Sequence, residues 1–161
     1  MTAQAGKRAA ARPRREARHG AREAAVQMLY QWEVGRNPIE EVAQTFWMQA
    51  PLGESGADED GGWPEGLREF ATALATGVVG TVDTLDPIIA EAADNWRIER
   101  MAIIDRLILR LAVHEFLAQP ETPARVVINE ALELARTFST DDAVRFINGI
   151  LDSVRKSMAR E

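Results

Sequence analysis

Residues 100–117, RMAIIDRLILRLAVHEFL, carry apolar side chains around most of a helical circumference. A surface helix keeps one apolar stripe, whereas a helix that is apolar on nearly every side needs neighbours on several. This segment is therefore expected at the middle of the fold, and its polar positions, Asp105, His114 and Glu115, become informative.

Upstream, Ala21, Ala24, Ala25, Met28, Leu29 and Trp32 follow the i, i+3, i+4, i+7 pattern of one helix face, which Gly35 ends. Asn37-Pro38 opens a second helix with Ile39, Val42, Ala43, Phe46 and Trp47 inward, stopped by Pro51. Residues 51–64, PLGESGADEDGGWP, lack periodicity and are expected to be a mobile loop. A third helix carries Leu67, Phe70, Ala71, Leu74 and Val78 and extends towards Leu85, weakened by Gly77 and Gly80. Asp86-Pro87 is expected to restart a short separate helix.

Downstream, Thr122-Pro123 opens a helix with Ala124, Val127, Ile128, Ala131, Leu134, Ala135 and Phe138 inward. Ser139 and Asp142 resemble a capping box for a last helix that packs through Ala143, Ile147, Ile150, Leu151 and Val154. Asn148 and Gly149 within it are expected to mark the close approach of a packed neighbour. No strand-period segment and no fixed-spacing repeat is present. The expected fold class is all-α, about seven helices in two packed groups that share the 100–117 helix or its neighbours.

At 161 residues and 46% apolar, the chain can bury one continuous core. No cysteine is present, which excludes disulfides and thiolate zinc sites, and two histidines, His19 and His114, are too few for most imidazole metal sites. No apolar run reaches the roughly 20 residues needed to span a bilayer, and no signal-peptide pattern opens the chain, so no membrane role is expected and a cytoplasmic location is. A transit peptide is the weaker account of the Arg-rich start, because the arginines run on into the first helix.

Charge is strongly segregated. Residues 1–22 hold seven basic side chains against one acid, a net of +6, while the remaining 139 hold twelve basic and 24 acidic, a net of −12. Arginine forks match phosphate oxygens, and neutralising phosphates releases counterions, so the basic end points to nucleic acid as well as to a merely solvated tail. Pro13 is expected to stop helix extension, which leaves residues 1–17 as a flexible basic arm before a single domain at 18–161. Phosphate loop, nucleophile elbow, His-x-x-x-His pair and dinucleotide fingerprint are all absent, so no catalytic residue, cofactor or metal is expected. The Asp141-Asp142 pair is accounted for by capping and the helix dipole, and His114 by a hydrogen-bonded structural role.

Residues 23–35, EAAVQMLYQWEVG, and 122–154, TPARVVINEALELARTFSTDDAVRFINGILDSV, resemble the NusB family of transcription antitermination factors. The second stretch is the specific one, and the resemblance runs from about residue 14 to 154. It implies a small all-helical protein of two packed three-helix-like subdomains that binds the boxA element of ribosomal RNA leader transcripts together with NusE, a small-subunit ribosomal protein, within an RNA polymerase antitermination complex, with no catalytic step. By position it implies RNA contacts at Arg18, Arg22, Gln27, Asp142, Arg145 and Phe146, and a NusE-facing surface at Tyr30 and Asp105. From helical spacing alone Phe146 fits core packing equally well, and Asp105 fits an internal ion pair with Arg100 or Arg106. Where relatives run arginines together, this chain has Arg18-His19-Gly20 and moves its cations to Arg12, Arg14 and Arg15, which are expected to reach RNA from the arm. Two other readings stand beside this one: a homodimeric interaction module that hides the basic face, and the RNA-binding module of an rRNA methyltransferase, which would need a catalytic domain downstream.

Overall fold

The computed structural model describes residues 2–49, 63–94 and 97–159, with side chains from Arg18 onward except at residue 49. The described residues form six α-helices and one 3-10 turn, with no strand: α1 (Thr2–Gly35), α2 (Ile39–Gln49), α3 (Glu65–Ala92), the 3-10 turn (Ile98–Arg100), α4 (Ile103–Ala118), α5 (Ala124–Phe138) and α6 (Asp141–Ser157). The all-α expectation holds. The expected loop at 51–64 lies outside the described residues but for Trp63 and Pro64.

α1, α2 and α3 pack on one another, α4, α5 and α6 do likewise, and the two groups join chiefly through α3 on α4 and α1 on α4. α4 is the shared element, as its all-round apolar pattern requires: Leu107, Ile108, Leu109, Leu111, Ala112, Val113 and Phe116 are all buried. Their neighbours include Met28 and Leu29 of α1, Leu85 and Ile89 of α3, Leu134 of α5 and Ile147 and Leu151 of α6, all in one continuous core. α5 and α6 bury the apolar stripes that their periodicity foretells, except that Phe138 at the end of α5 is only half-buried.

Three local expectations are corrected. α3 does not break at Asp86-Pro87 but runs unbroken to Ala92, which lowers the helix count from about seven to six. Proline at position 87 forfeits one backbone hydrogen bond, but Leu85 and Ile89 on either side are fully buried and Asp86 is held by two 2.8 Å bonds from Arg110, so tertiary contacts keep the turn helical. α1 likewise passes through Pro13 and Gly20 and is helical from Thr2. A run of alanine and arginine surrounds Pro13, and such strong helix formers let one proline kink a helix without ending it. The α6 cap is Thr140 instead of Ser139: its hydroxyl accepts from the Ala143 amide at 3.1 Å, from an extended backbone.

α3 also contains an 18-residue stretch apolar enough on average to cross a bilayer, where no such run was expected from the sequence. Its apolar side chains are used elsewhere, since α3 packs against α1, α2, α4 and α6.

At Gly77, α3 lies against the His114 side chain of α4. A Cβ there would stand 2.5 Å from Cε1 and Nε2 of His114, so only glycine lets the imidazole lie against the α3 backbone. Among the described residues no group hydrogen-bonds this ring, and it packs where a hydrogen-bonded histidine was expected; burial lowers its pKa below the usual value.

Gly77→Ala is expected to cost about 1 kcal/mol net by overpacking this contact, and to become stabilising in a His114→Ala background; denaturant melts of the four-member mutant cycle read the sign change. A pH effect follows too. The unfolded chain takes up the His114 proton near pH 6.5 while the folded chain holds it only at lower pH, so stability contributed here is intact above that value and falls as pH drops below it. Thermal melts between pH 7 and 5 should show a shallower decline in His114→Gln than in the parent chain.

Candidate nucleic-acid interface

The exposed face of α1 changes character along its length. Arg18 is exposed, with its guanidinium 5.5 Å from the centre of the Phe70 ring. Arg22, one turn on, shares that ring at 5.5 Å but points into the protein and is only 4% exposed. Its Nε donates to both Glu115 carboxylate oxygens at 3.1 Å and its Nη2 to Oε1 at 2.8 Å, while Glu130 stands 3.8 Å away. Glu115 is itself 2% exposed, so each charge is the other's replacement for water. Arg22 is thus corrected from an RNA contact to a buried structural cation.

His19 lies between two acids, Nδ1 2.7 Å from Glu130 and Nε2 2.9 Å from Glu23. It ties α1 to α5. At the far end of α1, Glu33 accepts from Arg106 at 2.5 Å and lies 3.9 Å from Arg110. The pairs 22–115 and 33–106 run in opposite senses, so α1 and α4 are antiparallel and pinned near both ends.

Gln27 sits nine residues beyond Arg18, which at 100° per residue places it about 180° around α1. It joins Val26, Tyr30 and Gln31 of α1, Ile104 of α4 and Phe138 of α5 in a groove of about 390 Å³. The structure therefore groups Gln27 with Tyr30, not with the arginines. Tyr30 is 43% exposed, and Val34, one turn on, is exposed as well. A second groove, of about 550 Å³, lies between α2 and α3 and mixes Trp47 with Glu65, Arg68 and Glu69.

Asp105 does not offer an exposed acid. It is 9% exposed in the first turn of α4 and accepts a 2.6 Å bond from the Ser139 hydroxyl, so neither the partner-facing surface nor the pair with Arg100 or Arg106 describes it. Ser139 is the link between α5 and α6, and its bond places the start of α6 beside α4.

At that start Asp142 and Arg145 are exposed and Phe146 is half-buried against the core. No ion pair or hydrogen bond joins Arg145 to any described residue. Asn148 and Gly149 continue the exposed face, and a Cβ on Gly149 would have nothing within 4 Å, which overturns the expected close packing there. The backbone at Arg12, Arg14 and Arg15 is helical, and their side chains lie outside the described residues. Among the described residues no group of three or more acids and histidines could hold a metal. Burial of Arg22 and Asp105 was not legible from one chain, because their partners lie 93 and 34 residues away.

The NusB family model matches residues 19–156. The transcription antitermination protein NusB of Koribacter versatilis is 42% identical over 144 residues, covering 89% of this chain and 92% of that one. Among solved structures, T. maritima NusB superposes with a TM-score of 0.73 at 28% identity over 86% of this chain and 90% of that one. The fold is also that of a chain in the crystal structure of antitermination factors NusB and NusE in complex with dsRNA, with a TM-score of 0.74 at 23% identity over 88% and 97%.

Arg22→Ala should lower stability by about 3–5 kcal/mol by leaving Glu115 buried and unpaired, whereas Arg18→Ala should leave it within about 0.5 kcal/mol. Urea titrations of the two variants check this, and equal small losses would remove Arg22 from the core.

Proposed function

The chain belongs to the NusB family, and on that premise we propose that it is an RNA-binding transcription antitermination factor that recognises the boxA element of rRNA leader transcripts together with NusE. In this reading it acts in the cytoplasm, joins the RNA polymerase antitermination complex and suppresses premature termination of rRNA synthesis by binding alone, without a catalytic step.

The observation that carries the reading is the exposed start of α6, where Asp142 and Arg145, which has no ion pair among the described residues, flank a half-buried Phe146 and the last residue of α5, Phe138, lines the groove. Arg145 supplies a cation for phosphate, Asp142 an acceptor for base amino groups, and Phe146 a ring edge or face on which an unpaired base can stack. Arg18 adds an exposed cation on α1, and Arg12, Arg14 and Arg15 in the sequence just before it are assigned to further phosphate contacts. The groove around Tyr30 and Gln27 takes the protein partner, and the acidic body offers complementary charge to a basic ribosomal protein. Asp105 contributes by holding Ser139, not by facing the partner.

Fluorescence anisotropy with labelled boxA RNA and a scrambled control, at several salt concentrations and with or without NusE, tests the reading. Selective, salt-sensitive binding that NusE strengthens is expected. Tyr30→Ala should weaken NusE binding and spare RNA binding by the isolated chain. Equal weak binding to both RNAs, unchanged by NusE, would leave only the fold shared.

A further inference from the structure

Two glycines sit exposed in the interior of long helices, Gly80 in α3 and Gly149 in α6, and at neither would a Cβ meet any atom within 4 Å. A helix-interior glycine loses stability relative to alanine, and at Gly77 the His114 ring explains the choice. Nothing among the described residues explains Gly149. Its surroundings set it apart from Gly80, which is preceded one turn earlier by Thr76, whose hydroxyl is bonded to the Thr72 carbonyl of its own helix at 2.8 Å.

Side chains on a helix lean towards its N-terminus, so the volume missing at position 149 lies over the turn that carries residues 145 and 146. Those are an exposed arginine with no partner among the described residues and a half-buried aromatic ring. Asn148, exposed beside the glycine, presents both a hydrogen-bond donor and an acceptor. On the other side Asp152 is bound by Arg155 at 2.8 Å and Lys156 at 3.1 Å, which hold its pKa below the usual carboxylate value and offset its charge towards an approaching anion.

Resting on the RNA-binding reading above, we propose that Gly149 is a steric notch in which one ribonucleotide lies directly on the α6 backbone. Its phosphate meets Arg145, its base reaches Phe146, and its ribose hydroxyl bonds the Asn148 amide. The glycine matters because any side chain would lift the sugar off the helix by more than a methyl radius and separate the nucleotide from both neighbours.

The test separates folding from binding. Gly149→Ala and the bulkier Gly149→Gln, both better helix formers, should each raise the melting temperature by a few degrees. Anisotropy with labelled single-stranded boxA RNA should show affinity lower by at least fivefold for Ala and more for Gln, with the salt slope unchanged because no cation is lost. Arg145→Ala, by contrast, should flatten the slope by roughly 0.7. Unchanged affinity in both glycine variants, with Arg145→Ala and Phe146→Ala still weakened, would overturn the notch alone. A lower melting temperature in Gly149→Ala would overturn it by showing that the glycine serves the fold. Failure of the parent chain to bind the RNA would remove the RNA reading and the notch together.

Discussion

The pairing of Arg22 with Glu115 is the constraint on which the rest of the structure depends. Taking a guanidinium and a carboxylate out of water is expensive, and only close, bidentate geometry repays it. The protein meets that demand at one point where four helices converge: Arg22 from α1, Phe70 from α3, Glu115 from α4 and Glu130 from α5. An apolar pair of the same volume could bind α1 to α4 as tightly, so the ion pair contributes less to net stability than to register. Sliding α1 by one residue would leave a buried charge alone. The exposed Arg18, one turn earlier and on the same ring, has its position fixed as a consequence.

The same logic repeats eleven residues further along α1, three turns and so the same face, where Glu33 meets Arg106 and Arg110, and Arg110 also holds Asp86 of α3. Two charge clusters therefore bracket the apolar contact between antiparallel helices. Each includes a residue of α4 whose neighbours are otherwise hydrocarbon, which is why a helix so apolar in sequence still carries Arg106, Arg110 and Glu115. These side chains set the position of α1 against the core, while Leu107, Ile108, Leu111 and Phe116 supply the burial.

Periodicity made the helices legible, because burial of one face is a local property of the sequence, and α4, α5 and α6 bury most of the residues their spacing marks, Phe138 being the half-buried exception. Proline was misleading for the opposite reason: its rule is local, and at Pro87 the deciding contacts come from Leu85, Ile89 and Arg110. The candidate site was legible in residue type and not in role. Arg22 and Asp105 carry the charges expected of surface contacts, yet each is committed to a partner distant in the chain, and a single sequence does not reveal such pairings. Gly149 erred the other way, since a glycine that admits a packed neighbour and one that faces open space look alike until the neighbours are placed.

The α5–α6 junction gives the two proposed surfaces a mechanical connection. Three consecutive residues there have three separate attachments: Phe138 lines the groove with Tyr30, Ser139 donates to Asp105 at the start of α4, and Thr140 caps α6 through the Ala143 amide. Ser139 and Thr140 are both extended, so the link has no spare length with which to absorb a displacement. In the proposed reading, a protein partner seated on Phe138 would act on a segment whose next residue is fixed to α4 and whose following residue caps α6, close to Asp142, Arg145 and Phe146. In the same reading, Asp105 holds through Ser139 the link that runs from the partner groove to the start of α6.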